Sequence, residues 1–153
     1  MSASMTPLRR KLSLAIALLA LGGAVVSSIS LYHHFSTSKS SYCDIGENFN
    51  CDIVNRSTYS TVAGIPVALI GILGYLSLLA LATLYRSKAE TPAIVFMASL
   101  AGLGFALYLT YIEAYVLATW CILCLSSLAL IFAIAVLSSV LMLHTKRAAD
   151  LRS

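Results

Sequence analysis

Long apolar runs broken by short polar stretches organise this chain. Residues 12–32, 67–85, 93–115 and 120–143 each approach or exceed the roughly 20 predominantly apolar residues that an α-helix needs to cross a bilayer. The polar stretch 36–64 is too long for a mere connector, and it ends at Gly64-Ile65-Pro66, a turn with proline at a favoured helix start. The pattern predicts an all-α integral membrane protein with four spans, a single domain over residues 1–153, and the loop 36–64 as its one sizeable polar region.

Composition agrees. Hydrophobic residues make up 59% of the chain and charged ones 10%, with a mean hydropathy of +0.91. A water-facing domain carries about a quarter charged residues, so a soluble fold is excluded. The net charge of +4 does not point to nucleic acid, because the basic residues form no cluster on a soluble module. They read as topology signals instead. Arg9, Arg10, Lys11, Arg86, Lys88, Lys146, Arg147 and Arg152 fall on one side of an alternating four-span path, leaving only Lys39 and Arg56 on the other. By the positive-inside rule both termini are cytoplasmic, and 36–64 and 116–119 face outward. The first run also resembles a signal peptide. Its length and the lack of a clean Ala-x-Ala site favour an uncleaved helix.

Within the spans, Gly71 and Gly74 on the second helix and Gly102 and Gly104 on the third are expected where backbones pack closely. Tyr108, Tyr111 and Tyr115 share one helix face near the outer end. That face fits an interfacial aromatic belt, or the wall of a pocket for a flat ligand with Tyr111 directed inward. Glu113 is expected at the outer boundary, in contact with water. Phe49 and Tyr59 can dip into the membrane surface from the loop. Asn55-Arg56-Ser57 matches a glycosylation sequon, expected to go unused. His33 and His34 close the first helix as interface residues.

The candidate chemistry lies in the cysteines. Cys43 and Cys51 are in the outer loop, and Cys121-Ile122-Leu123-Cys124 opens the last helix. On the topology above all four thiols face one compartment, which points to disulfide chemistry in an oxidising space. Zinc is the other use of two cysteine pairs and fits this placement less well, so no metal is expected. A bridge between Cys43 and Cys51 can be a structural staple. A Cys-x-x-Cys bridge closes almost no chain, and such pairs are usually redox-active. At the start of a helix, free N–H groups and the dipole favour thiolate, with Cys124 about 4.5 Å deeper than Cys121 on the same face. Asp44 and Asp52 follow the loop cysteines and disfavour thiolate there. Electrons then run downhill from the loop pair to the helix pair.

Together these residues resemble a family. The run Cys43-Asp44-Ile45-Gly46, Cys51-Asp52-Ile53-Val54-Asn55, Ser57, Tyr59-Ser60, Gly64-Ile65-Pro66-Val67-Ala68, Gly71 and Gly74-Tyr75, with Cys121-Ile122-Leu123-Cys124, is similar to the bacterial vitamin K epoxide reductase homologues. The resemblance implies a four-helix bundle around a quinone, capped by the outer loop, in the bacterial inner membrane with the active site facing the periplasm. It implies Cys121 and Cys124 as the active-site pair, with Cys124 beside the quinone. It implies Cys43 and Cys51 as a shuttle pair that takes electrons from a thioredoxin-fold, DsbA-like protein, Cys51 being the one that attacks Cys121. Ser57 matches a loop hydroxyl near the quinone, and Phe49, Tyr59 and Tyr111 are the further candidates for that pocket. The acceptor is ubiquinone or menaquinone.

Vertebrate members place an Asn on the second helix and a Tyr one turn after the Cys-x-x-Cys. Here the second helix has no Asn, and Leu128 stands one turn after Cys124. The resemblance therefore does not extend to epoxide reduction or vertebrate-type inhibition. No thioredoxin-like domain is fused in this sequence, so a separate partner is expected. The alternatives are a vitamin K quinone or epoxide reductase and a non-enzymatic membrane scaffold stapled by disulfides. The other bacterial thiol:quinone oxidoreductase family carries its Cys-x-x-Cys in the first outer loop, unlike this chain.

Overall fold

The computed structural model describes residues 6–39 and 41–151, so Arg152, grouped above with the basic residues after the last span, lies outside them. In chain order the elements are α1 (Pro7–Phe35), β1 (Asp44–Ile45), β2 (Phe49–Asn50), α2 (Cys51–Asn55), a 3₁₀ turn (Thr58–Ser60), β3 (Thr61–Val62), β4 (Ile65–Pro66), α3 (Val67–Thr83), α4 (Thr91–Ile112), a π-helical turn (Glu113–Leu117) and α5 (Ile122–Asp150).

α1 starts where Thr6 accepts the Arg9 N–H through its hydroxyl at 3.4 Å and Pro7 sets the first turn. Ser13, Ile16, Ala17, Ala20, Gly23, Ala24, Ser27 and Ser30 are buried along it at spacings of three and four. This stripe of small residues lets α1 sit against both α3 and α5, while α5 also packs on α4. α3 and α4 meet each other only sparsely. The bundle is therefore closed around α1 and α5 and loosest between α3 and α4.

Large apolar side chains such as Leu14, Leu18, Leu73, Met97 and Phe132 point outward, whereas Ser13, Ser27, Ser99 and Ser138 point in. Ser99 and Ser138 hydroxyls meet at 3.2 Å between α4 and α5. That inversion suits a helix bundle in lipid, where small and hydrogen-bonding residues drive packing. α1, the stretch Thr91–Leu117 and α5 are long and apolar enough to cross a membrane, and α3 is a shorter apolar helix of 17 residues. At 1.5 Å per residue α3 is about 25 Å long, the low end of what spans.

The helices outrun the apolar segments at several ends, with α1 beginning at Pro7 and α5 continuing to Asp150. Hydropathy marks what lies in hydrocarbon, whereas backbone hydrogen bonding continues until a cap stops it. At the end where these extensions meet, the Arg9 guanidinium donates to the carbonyls of Arg86 at 2.8 Å and Lys88 at 2.9 Å. The α3–α4 turn is thereby tied to the start of α1.

Of the four glycines expected at close contacts, Gly71 and Gly102 are there. A Cβ on Gly71 would lie 2.8 Å from Ser27 Oγ, and one on Gly102 would lie 3.2 Å from Ile131 Cδ1. Gly74 and Gly104 meet nothing within 4 Å: Gly74 lines the gap between α3 and α4, and Gly104 is exposed and lines no part of it. The tightest approach is at Gly23, which the Tyr75 ring crosses so closely that any Cβ would overlap it. Tyr75 is held there by its hydroxyl, 2.9 Å from both the carbonyl and the Oγ of Ser127.

Candidate active site: two cysteine pairs at one end of the bundle

The opposite end of the bundle is covered by residues 36–39 and 41–66. Two small hairpins shape this cover. β1 pairs with β2 around Gly46 at φ +71°, and β3 pairs with β4 around Ala63 at φ +52° and Gly64 at φ +79°. α2 lies between them, its first N–H groups capped by the Asn50 side chain, which accepts from Ile53 N–H at 3.1 Å.

The cover is anchored to the end of α1. His33 is buried, hydrogen-bonds the Tyr42 hydroxyl through Nε2, and places Nδ1 3.5 Å from Asp52 Oδ1. His34 Nδ1 donates to the Asn55 carbonyl at 2.5 Å, and Arg56 reaches back to the Ser36 carbonyl. Tyr42 and Asp52 are the neighbours of Cys43 and Cys51, so His33 grips both shoulders of the loop cysteine pair.

Cys43 and Cys51 are bonded to each other, with their Cα atoms 5.6 Å apart, and Cys121 and Cys124 are free thiols. Cys43, Cys51 and Cys121 are buried in one apolar cluster with Val54, and Cys124 packs on its edge. A backbone splice brings the pairs together. Asn50 N–H donates to the Trp120 carbonyl at 3.0 Å, and Trp120 N–H donates to the Asn48 carbonyl at 2.9 Å. Asn50 and Trp120 immediately precede Cys51 and Cys121, so the hydrogen bonds set Cys51 beside Cys121.

The Cys-x-x-Cys motif straddles the start of α5 rather than lying on one helical face. Cys121 is the extended N-cap residue (φ −115°, ψ 115°), and its Sγ accepts from Cys124 N–H at 3.4 Å. Cys121 is fully buried toward the cover, and Cys124 turns into the bundle. The two sulfurs thus have separate outlets. The Cys121 N–H is also occupied, donating to Glu113 Oε2 at 3.0 Å. Glu113 itself is buried, contrary to its expected contact with water. The π-helical turn, ended by Ala118 in the left-handed region at φ +48°, rotates it inward.

Cys124 is shared by two cavities. The larger, about 400 Å³, runs down the bundle between all four long helices, past Ser27, Tyr75, Phe105, Leu109 and Ser127. Its lining on α3 and α4 includes Gly74, Ser77, Ala98 and Ala101, all exposed. The mouth therefore opens sideways between these helices at mid-height. The size lies in the range of small-molecule sites, and the walls are largely apolar. The smaller cavity, about 40 Å³, lies under the cover and is lined by His34, Asn55, Ser57, Tyr59, Glu113 and Cys124, among others.

Ser57 and Tyr59, read from sequence as quinone-pocket residues, line the smaller cavity, and the Ser57 hydroxyl donates to the Val54 carbonyl at 2.8 Å. Phe49 and Tyr111 line neither cavity. Phe49 is used in β2 and in the bridge to Trp120. Tyr111 is 57% exposed and packs on Tyr115 with ring centroids 4.9 Å apart, on the outward aromatic face. The α4 residues directed inward are one helix face away, at Phe105, Leu109 and Ile112.

The place of Asn55 at the cavities escapes sequence reading. It is buried, so the sequon is closed to a glycan, and it lines both cavities with its Nδ2 lacking a hydrogen-bond partner among the described residues. Residues 14–139 match the vitamin K epoxide reductase family, a stretch holding all four cysteines and the lining of both cavities.

Proposed function

The chain belongs to the vitamin K epoxide reductase family, and we propose that it uses the family's quinone-linked thiol chemistry to reoxidise a separate thioredoxin-fold, DsbA-like protein and so support disulfide formation. It is a multi-pass membrane oxidoreductase. In this reading the protein sits in a bacterial inner membrane with both termini cytoplasmic, as the placement of its basic residues supports. The cysteine end then faces the periplasm, and residues 1–153 act as one domain.

A reduced partner thiolate attacks the Cys43–Cys51 bond, and a second partner thiol resolves the mixed disulfide, leaving both loop cysteines reduced. The Cys51 thiolate attacks Cys121 of the Cys121–Cys124 disulfide and displaces Cys124 as thiolate. Cys43 then attacks Cys51, which reforms the loop bond and leaves Cys121 and Cys124 reduced. Two electrons pass from that pair to the quinone, which leaves as quinol, and the Cys121–Cys124 bond reforms. The substrate is a membrane benzoquinone or naphthoquinone of the ubiquinone or menaquinone class. It would enter from lipid through the α3–α4 mouth with its head against Cys124. The unpartnered Asn55 amide can donate to a ring carbonyl there, with Ser57 and Tyr59 behind it.

One observation carries this reading. Cys121 is buried against the loop pair while Cys124 opens on a quinone-sized cavity. The two-sided arrangement suits a relay and has no use in a scaffold stapled by disulfides.

The test is anaerobic turnover of the purified protein with a reduced thioredoxin-fold protein and ubiquinone or menaquinone, followed by quinone absorbance. Cys124→Ser is expected to abolish quinone reduction. Cys43→Ser is expected to block oxidation of the protein partner yet spare turnover with a small dithiol. Intact partner oxidation by Cys43→Ser would remove the shuttle assignment.

A further inference from the structure

Oxidation of a dithiol by a quinone moves two protons as well as two electrons, and Cys121 and Cys124 lie where water is scarce. Of the six acidic residues in the chain, Glu113 alone is buried. A carboxylate oxygen of Glu113, Cys121 Sγ and Cys124 Sγ lie within 4.8 Å of one another. One oxygen, Oε2, is fixed by the Cys121 N–H at 3.0 Å. The other, Oε1, is buried without a hydrogen-bond partner among the described residues. A buried acceptor left unpaired is unfavourable enough that its retention calls for a use.

The surroundings supply one. Glu113 lines the smaller cavity, which shares Asn55, Leu109 and Cys124 with the larger one. A quinone oxygen placed against Cys124 would therefore lie at the junction where the carboxyl group sits. At about 40 Å³ the smaller cavity also has room for a water molecule.

We propose that Glu113 is the proton carrier of the quinone step, an inference that rests on the thiol:quinone reading above. Its carboxylate takes the proton from the Cys124 thiol, and the thiolate bonds to the ring. The protonated carboxyl gives that proton to a ring oxygen. The same carboxylate then takes the Cys121 proton as Cys121 Sγ attacks Cys124 Sγ. The S–S bond forms, the bond from Cys124 to the ring breaks with its electron pair left on the ring, and the proton passes to the second oxygen through the water. Two S–H bonds break and one S–S bond forms. The quinone becomes quinol, and Glu113 ends ionised as it began.

Glu113→Gln separates this role from a structural one, because a glutamine carbonyl still accepts the Cys121 N–H but cannot carry a proton. Pre-reduced protein is mixed anaerobically with a short-chain ubiquinone analogue, and a single turnover is followed by quinone absorbance in H₂O and D₂O. The wild type is expected to show a solvent deuterium effect, and Glu113→Gln a rate lower by about 100-fold, the low end of general acid–base contributions. Glu113→Asp is expected to restore part of the rate. A Glu113→Gln rate within threefold of wild type would overturn the proposal. Should that variant fail to fold, equal wild-type rates in H₂O and D₂O would overturn it as well. A wild type that leaves the quinone untouched would instead refute the oxidoreductase reading itself.

Discussion

The backbone N–H of Asn50 donates to the carbonyl of Trp120 at 3.0 Å, and this bridge selects which cysteines face each other across the site. Cys51 follows Asn50 and Cys121 follows Trp120, so the two enter the buried cluster side by side. A variant carrying Cys43→Ser and Cys124→Ser keeps only these two thiols. Mild oxidation is expected to join Cys51 to Cys121 nearly completely, as read by peptide mapping under non-reducing conditions. The companion variant carrying Cys51→Ser and Cys124→Ser, which keeps Cys43 and Cys121, is expected to cross-link far more slowly. Equal yields would mean that the splice does not choose the partner.

How much of this was legible depends on what each feature is made of. The four spans and the grouping of basic residues are long-range sums over composition, and they survive small errors in any position. The pairing of thiol chemistry with a membrane edge was legible too, since Cys-x-x-Cys at a helix start is a local signal. The Trp120 splice was not legible, because backbone hydrogen bonds between residues about 70 apart leave no mark on side-chain pattern. The direction of Tyr111 was not legible, because hydropathy in lipid does not reveal which face is inside and the tyrosine row fits a belt or a pocket wall alike. Small residues reveal it better, as the α1 stripe from Ser13 to Ser30 shows. Glu113 was placed in water because an acid at a helix end is usually solvated. The π-helical turn that buries it has no recognised sequence signal here.

The close passage of Tyr75 over Gly23 gives a prediction of opposite signs at two glycines. Gly23→Ala puts a methyl into a ring held by Ser127, and overpacking of this kind costs about 1–3 kcal/mol. Gly104→Ala meets nothing within 4 Å, and α4 is expected to gain about 0.5–1 kcal/mol from the lost backbone freedom of glycine. Thermal unfolding in detergent micelles should move the midpoint down for the first and up for the second. A stable Gly23→Ala protein would show that α1 and α3 can separate locally, which the small-residue stripe argues against.

In the thiol:quinone reading, the gap between α3 and α4 is where a lipid-borne substrate reaches Cys124. Ala101 lies on its rim, and the wall beside it is small on both helices, with Gly74 across the gap and Ala98 one turn away. Ala101→Phe places a ring in the mouth without touching the cysteines. It is expected to raise the quinone KM roughly tenfold, the low end of what one apolar contact decides in a pocket, while kcat at saturating quinone stays near wild type. Tyr111→Ala removes an aromatic from the same helix, but from the outward face where it packs on Tyr115, and should leave the KM within about twofold, as for a contact outside the pocket. Steady-state kinetics with a soluble dithiol as donor isolates this step from the protein partner. If Tyr111→Ala raised the KM more than Ala101→Phe did, the quinone would be entering across the aromatic face of α4, and the mouth between α3 and α4 would be a packing gap only.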